Sequence, residues 1–116
     1  MTTHSFEPRD YALFVDGERL ETGNWDEVLS PYDESPVGRV AICDAATVER
    51  ACEAAHAAFE RGDFPQYQRA EVLQRAADLV SEQQEDLALT IAAESGKPIK
   101  TARVEAVSYT HLTLPT

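Results

Sequence analysis

The chain has 116 residues, which is enough for one small domain but not for a large two-domain enzyme. Its 21 acidic and 10 basic residues give a net charge of −11, which argues against binding to a nucleic acid backbone or to an anionic membrane surface. This acidity fits either a halophilic protein or an ordinary acidic cytosolic one.

The start of the chain, Met1–Asp10, lacks the basic segment and the apolar core of a signal peptide. We expect residues 1–10 to form a flexible N-terminus. No apolar run approaches the roughly twenty residues of a membrane span. The two cysteines, Cys43 and Cys52, have no CxxC spacing, so a reducing cytoplasm is the expected location.

The first predicted element is a β-hairpin. Tyr11–Val15 is rich in strand-favouring residues, and Asp16-Gly17 separates it from Glu18–Leu20. Asp-Gly between two such runs is a strong hairpin signal, because both turn residues must accept a positive φ. Composition then predicts a strand, a proline-containing loop and another strand, at Trp25–Leu29, Ser30–Pro36 and Val37–Cys43.

From Asp44 onward the apolar residues recur every three or four positions, which indicates amphipathic helices. Asp44 is the predicted N-cap of the first helix, and Arg61-Gly62 its predicted end. The residues expected to face inward from this helix are Val48, Ala51, Cys52, Ala55 and Phe59.

Three further helices are predicted. The second covers Tyr67–Gln83 and the third covers Glu85–Ser95, ending at Gly96. Pro98 is expected as the first residue of the fourth. The residues expected to face inward are Leu73, Ala76, Ala77 and Val80 in the second helix and Leu87, Ala88 and Ile91 in the third.

The last ten residues, Val107–Thr116, match one translated reading frame of a transposon-type sequencing adapter, so we expect an adapter-encoded tail. The alternative is a native β-prone tail. On the adapter hypothesis the native segment stops near Val104-Glu105, and the fourth helix continues for about one turn into the tail. The residues expected to end that helix are Thr110, Thr113 and Pro115. The tail residues expected to lack core partners are Tyr109, Leu112 and Leu114.

The cysteines are the only candidate thiol nucleophiles. Catalysis requires a thiolate stabilised by a base or by a helix N-terminus. The Asp44 carboxylate beside Cys43 would disfavour a thiolate, and Cys52 falls on the apolar face of the first helix. We therefore expect both cysteines to be structural and buried.

No other group of residues in the sequence predicts a catalytic, phosphate-binding or metal-binding site. His4, His56 and His111 share no spacing with cysteines or carboxylates, so no metal site is expected. Gly96-Lys97 lacks the rest of a phosphate loop, and no GxGxxG occurs. The acidic residues expected to form a solvated helix face, with charge partners four residues away at best, are Glu82, Glu85 and Asp86. We predict no catalytic, cofactor-binding or metal-binding residue in the chain.

One block of residues points to a particular protein family. The run Glu94–Pro98, followed by Ala102 and Glu105, resembles the Glu-Thr/Ser-Gly-Lys-Pro…Ala…Glu-Val block of the aldehyde dehydrogenase superfamily. Arg69–Leu79 is similar to that family's Arg-x-x-x-Leu…Ala-Asp helix. At Ala106 the chain departs from the family pattern, which has Val there.

The resemblance extends toward the N-terminus. Phe14–Gly17 and Ser30–Asp33 match the family's opening strand pair and its Asn-Pro-type loop, and Val37–Val40 fits the next strand. The Ser30–Asp33 loop and the Asp63–Pro65 connection resemble the branch that acts on lactaldehyde, phosphonoacetaldehyde or glyceraldehyde phosphate.

The resemblance implies an α/β fold. Residues 11–106 would be a β-hairpin and short strands followed by four helices, the incomplete N-terminal part of a Rossmann-like cofactor-binding domain. The implied reaction is the NAD(P)-dependent oxidation of an aldehyde to a carboxylic acid through a thioester on a cysteine, with a glutamate as base and an oxyanion hole. In the family these groups lie downstream, and none corresponds to a residue of this chain.

The expected cofactor, NAD or NADP, belongs to the full-length parent. We expect that parent to be a homo-oligomer acting on a small aldehyde, and we expect the fragment alone to be inactive and to bind no cofactor. The alternative hypothesis is a stand-alone acidic interaction module without catalytic activity. It requires a natural stop after Thr116 and a self-contained core.

Overall fold

The structure is a computed structural model that describes residues 6–112, and the side chains of residues 6–108. Its elements are β1 (Arg9–Tyr11), β2 (Leu13–Val15), β3 (Glu18–Leu20), β4 (Trp25–Leu29), β5 (Pro36–Ala41), α1 (Ala45–Arg61), α2 (Gln66–Glu82), α3 (Gln84–Ser95) and α4 (Ile99–Leu112). They fall into two compact units. The strand unit comprises Glu7–Leu29 and Pro36–Asp63, and the helical unit comprises Ser30–Ser35 and the residues from Phe64 onward.

The predicted hairpin is confirmed. β2 and β3 pair antiparallel, with Leu13 opposite Leu20 and Val15 opposite Glu18. Asp16 and Gly17 have φ values of 53° and 77°, so both turn residues adopt the left-handed conformation of a type I′ turn. Aspartate and glycine tolerate that conformation better than other residues, which is why this dipeptide fixes the register.

A second, three-stranded sheet has the order β1-β5-β4. The central strand, β5, pairs parallel with β1 and antiparallel with β4. A side chain on Gly38 would overlap the carbonyl oxygen of Arg9, so only glycine lets β1 approach β5 at this point. Arg39 donates to both carboxylate oxygens of Asp10 and lies 5.2 Å from the centre of the Trp25 ring, which joins all three strands on one face.

The strand β1 was not predicted as a separate element. Tyr11 ends β1 and Leu13 begins β2, so the predicted strand Tyr11–Val15 is divided between two sheets. Arg9 and Asp10 belong to a strand and not to a flexible N-terminus, whereas residues 1–5 lie outside the described part. Local patterning could not show this, because the partner of β1 is β5, far along the chain.

Both predicted ends of α1 are confirmed. One carboxylate oxygen of Asp44 accepts hydrogen bonds from the Thr47 N–H at 2.8 Å and from its hydroxyl at 2.6 Å. Gly62 has a φ of 60° and donates its N–H to the Phe59 carbonyl at 3.2 Å.

The predicted inward face of α1 is largely wrong. α1 contacts β2, and its half-buried residues are Thr47, Ala51 and Ala54. Val48 and Phe59 are 51% and 80% exposed. Sequence periodicity locates an apolar face, but it does not say which element covers that face.

In the helical unit, α3 and α4 pack closely through small residues. Ala88 on α3 and Ala102 on α4 are both 0% exposed, and Leu87 and Ile91 are half-buried as predicted. The Pro98 carbonyl accepts from the N–H groups of Thr101 and Ala102. Pro98 therefore caps α4 and precedes its first residue, Ile99, one position from the prediction.

Two predictions for the helices need correction. On α2, Ala77 and Val80 are half-buried as expected, but Leu73 is 46% exposed and Ala76 is exposed. α4 continues to Leu112, so Thr110 does not end it. A single threonine costs a helix well under 1 kcal/mol, which is too little to stop an established one.

In the tail, Val107 and Ser108 are half-buried. The side chains of Tyr109, Leu112 and Leu114, which were expected to lack core partners, lie outside the described part of the chain.

Candidate functional site

The two thiols are exposed, so the prediction that they are buried is wrong. Cys43 follows β5, and its thiol donates to the Asp44 carbonyl at 3.6 Å. A backbone carbonyl cannot take up the proton that a nucleophilic cysteine must lose. Cys52 is exposed because it lies on the part of α1 that β2 does not cover.

The N-terminus of α1 is closed by its own cap. Hydrogen bonds from the Thr47 hydroxyl and N–H lower the pKa of Asp44 below its ordinary value, so the carboxylate is ionised at neutral pH. A helix N-terminus attracts anions through its free N–H groups. Here the Asp44 carboxylate occupies that position, so this end of α1 does not present an open phosphate site.

Histidines and carboxylates do not gather into a metal centre in the described residues. His56 is exposed on α1, and the side chains of His4 and His111 lie outside the described part. Within residues 6–108, no group of three histidine, cysteine or carboxylate side chains could hold a metal ion. In the same part of the chain, no helix is both long and apolar enough to cross a membrane.

Of the acidic residues predicted to form a solvated face, Glu82 and Glu85 are exposed as expected and Asp86 is half-buried. The Glu85 carboxylate accepts from Nε and Nη2 of Arg103 on α4, at 2.7 and 3.0 Å, and this pair raises the pKa of Arg103. Glu82 lies 4.0 Å from Arg75, seven residues earlier on α2. The expectation of partners four residues away is therefore wrong for both glutamates. The backbone carbonyl of Asp86 accepts from the Thr90 hydroxyl.

The residues of the Glu94–Pro98 block close the turn between α3 and α4. Gly96 has a φ of 69° and donates its N–H to the Ala92 carbonyl at 2.9 Å. The Lys97 ammonium donates to both carboxylate oxygens of Glu105, at 2.9 and 2.7 Å. The partner of Lys97 was missed from the sequence, although a lysine after one helix and a glutamate on the next are a charge pattern that could have indicated it.

The strand unit has one further feature that the sequence did not show. An open groove of about 280 Å³ lies between α1 and the β2–β3 hairpin. It is lined by Phe14, Val15, Asp16, Ala51, Ala54, Ala55 and Ala58. Among these only Asp16 carries a titratable side chain, so the groove can contact an apolar group but does not assemble a reacting centre.

The described residues thus hold helix caps, ion pairs and an apolar groove, but they do not bring a nucleophile and a base together. The model of the aldehyde dehydrogenase family matches residues 18–114. The chain belongs to the aldehyde dehydrogenase family. The match covers Val107 to Leu114 as well, so it does not separate the tail from the rest of the chain.

Individual members of the aldehyde dehydrogenase family agree with this assignment. The chain is 36% identical over 97 residues to 3-sulfolactaldehyde dehydrogenase from Priestia aryabhattai, an alignment covering 84% of this chain and 20% of that protein. An NAD-dependent aldehyde dehydrogenase from Sinorhizobium meliloti superimposes with a TM-score of 0.85 at 32% identity, over 92% of this chain and 22% of that one. A 1-pyrroline-5-carboxylate dehydrogenase from Thermus with bound NAD gives a TM-score of 0.83 at 32% identity, over 89% of this chain and 20% of that one.

The chain therefore spans about one fifth of the length of the aldehyde dehydrogenases it matches. Its short strands and four helices are an incomplete α/β part of the aldehyde dehydrogenase fold, as the Glu94–Pro98 block implied. The comparisons give no support to a stand-alone acidic interaction module.

Proposed function

We propose that this chain is the N-terminal part of an NAD(P)-dependent aldehyde dehydrogenase, whose full-length form oxidises an aldehyde to a carboxylic acid. The observation that carries this proposal is the superposition of 92% of the chain on 22% of the Sinorhizobium meliloti enzyme. The relative with bound NAD supports a nicotinamide cofactor for the parent. The free cysteines Cys43 and Cys52 support a reducing, cytoplasmic location.

Within that parent we assign this segment a scaffolding role. The residues that mark the family pair with one another: Lys97 with Glu105, and the buried Ala102 with α3. Such contacts fix how α3 and α4 pack, and they pair Lys97 and Glu105 with each other. In the full-length protein, NAD or NADP would supply the hydride acceptor for the oxidation.

We propose that the 116-residue chain by itself neither oxidises aldehydes nor binds NAD. Cys43 contacts a backbone carbonyl, and the Asp44 carboxylate occupies the N-terminus of α1. Titration calorimetry of the isolated chain with NAD should show no saturable heat. Saturable binding would contradict the scaffolding role without affecting the family assignment.

For the parent we propose short hydroxyaldehydes that carry an anionic group as the substrate class. The similarity to a 3-sulfolactaldehyde dehydrogenase supports this choice. The Ser30–Asp33 loop and the Asp63–Pro65 connection resemble the branch that acts on lactaldehyde, phosphonoacetaldehyde or glyceraldehyde phosphate. The last two of these aldehydes carry an anionic group, which supports the choice independently of that relative's name.

The test uses the complete reading frame from the source DNA. The full-length protein should reduce NAD or NADP when it is given an aldehyde, and the fragment assayed beside it should not. A panel with and without an anionic group, such as 3-sulfolactaldehyde against propanal, tests the substrate class. A folded full-length protein that reduces neither cofactor with any aldehyde would disprove the activity.

A further inference from the structure

Two glycines end helices in the same backbone conformation but in different surroundings. Gly62 follows α1 with a φ of 60°, and Gly96 follows α3 with a φ of 69°. A Cβ added to Gly62 would meet no atom within 4 Å, whereas one added to Gly96 would lie 3.1 Å from Cγ of Pro31. A side chain at position 96 is therefore unfavourable for two reasons, the positive φ of the backbone and the nearness of the Pro31 ring.

Pro31 belongs to the loop Ser30–Ser35, which is held in shape by its own hydrogen bonds. The Ser30 N–H donates to the Ser35 carbonyl, and the Glu34 N–H donates to the Ser30 carbonyl, both at 2.9 Å. Asp33 accepts from the Ser35 N–H at 3.1 Å and from its hydroxyl at 2.6 Å, and these bonds lower the pKa of Asp33. The protection of the Ser30 and Glu34 amides from exchange therefore depends on the loop keeping this shape.

The turn between α3 and α4, which Pro31 approaches at Gly96, is also held in place. Lys97, the residue after Gly96, pairs with Glu105 on α4, and Ala102 between them is fully buried. The Pro31 ring thus lies close to a turn that cannot easily move away from it, because such a movement would separate α3 from α4.

We propose that the contact of Pro31 with Gly96 holds the loop Ser30–Ser35, here called the strap, in its closed form, and that the strap opens independently of α4 when this contact is overpacked. The missing side chain of Gly96 lets the Pro31 ring come into van der Waals contact with the turn. A side chain at this position would displace the Pro31 ring by a few tenths of an ångström and so strain the hydrogen bonds that the Ser30 and Glu34 amides donate within the strap. The proposal concerns the conformation of this chain and stands independently of its enzymatic role.

The test is amide hydrogen exchange of the 116-residue chain with matched glycine variants. Gly96→Ala and Gly62→Ala introduce the same backbone strain, but only the first also meets Pro31. We expect Gly96→Ala to speed exchange of the Ser30 and Glu34 amides about tenfold relative to the amides within α4, as expected for an overpacked contact that opens locally. Gly62→Ala should leave the exchange of these two amides unchanged.

A third variant completes the test. Pro31→Ala removes Cγ, so the double variant Pro31→Ala/Gly96→Ala should return the strap amides to the rates of Pro31→Ala alone. If Gly96→Ala unfolds the helical unit, Gly96→Asn replaces it, because asparagine accepts a positive φ and still carries a Cβ. The proposal is wrong if exchange in the strap and in α4 rises equally, if Gly96→Ala matches Gly62→Ala, or if removing Cγ gives no rescue.

Discussion

At the scale of single residues, caps and turns are set by chemistry that acts over a few positions. Asp44, Gly62 and the Asp16-Gly17 pair were predictable because each acts on backbone groups within three residues of itself. The Glu85–Arg103 ion pair was not predictable in the same way. Its members are 18 residues apart, so only the packing of α3 on α4 brings them together.

The first prediction concerns the Asp44 cap and pH. Hydrogen bonds from Thr47 lower the pKa of folded Asp44 below 3.8, its ordinary value. The ionised cap therefore stabilises α1 fully above pH 3.8, and this contribution is lost as the pH falls through the folded pKa. Asparagine also caps helices but does not titrate, so Asp44→Asn should lose less helical signal on acidification than the natural chain.

Circular dichroism across an acid titration measures this difference. Asp44→Ala serves as the control, because it removes the cap and should lower helicity at every pH. Asp10 and Asp33 have lowered pKa values too, through Arg39 and Ser35, but they titrate equally in all three proteins. Parallel acid curves for the natural chain and Asp44→Asn would show that Asp44 does not contribute.

At the scale of elements, the sequence predicted which segments are helical but not all of the faces they bury. The helices begin and end within a few residues of expectation because capping and periodicity are local signals. The covered face of α1 was misjudged because it depends on β2, and the extra strand β1 was missed because it depends on β5. Residues that contact distant parts of the chain are the ones that pattern alone misplaces.

The second prediction tests the contact between α3 and α4. Ala102 is 0% exposed where the two helices meet. Ala102→Leu should therefore lower the free energy of unfolding by about 1–3 kcal/mol, the usual cost of overpacking. Ala70→Leu on the exposed side of α2 should change it by less than about 0.5 kcal/mol. Urea denaturation measures both, and equal effects would mean that α3 and α4 do not pack as closely as described.

At the scale of the whole molecule, little apolar surface is buried. The buried apolar residues of the described part are Val15, Val37, Ala41, Ala88 and Ala102, and none of them is large. Phe14 and Phe59 are 72% and 80% exposed. A chain of this size with so small a core is expected to be only marginally stable and prone to association.

The third prediction follows from this exposure. Phe59→Ser should reduce self-association of the isolated chain, because it removes an exposed aromatic ring from the apolar side of α1. Its free energy of unfolding should change by less than about 0.5 kcal/mol. Ala57→Ser, on another side of the same helix, is the control and should leave association unchanged. Sedimentation velocity measures the association, and a natural chain that is strictly monomeric would refute the prediction.

The fourth prediction concerns the tail. If Val107–Thr116 is adapter-encoded, deleting it should change the free energy of unfolding by no more than about 0.5 kcal/mol. The half-buried Val107 and Ser108 are the described residues through which a larger effect would act. Urea denaturation of the full and shortened chains decides the matter. A loss of several kcal/mol would favour a native tail.

The parallel pairing of β1 with β5 has a consequence for the order of events on the ribosome. β1 leaves the exit tunnel before β5, because its partner Arg39 lies 29 residues behind Asp10. Meanwhile β4 and β5 can join through their short connection, since closing a short loop costs less entropy than closing a long one. β1 is thus synthesised before β5 but docks only after β5 has emerged, and until then a nascent chain presents the unpaired edge of β5 to its neighbours.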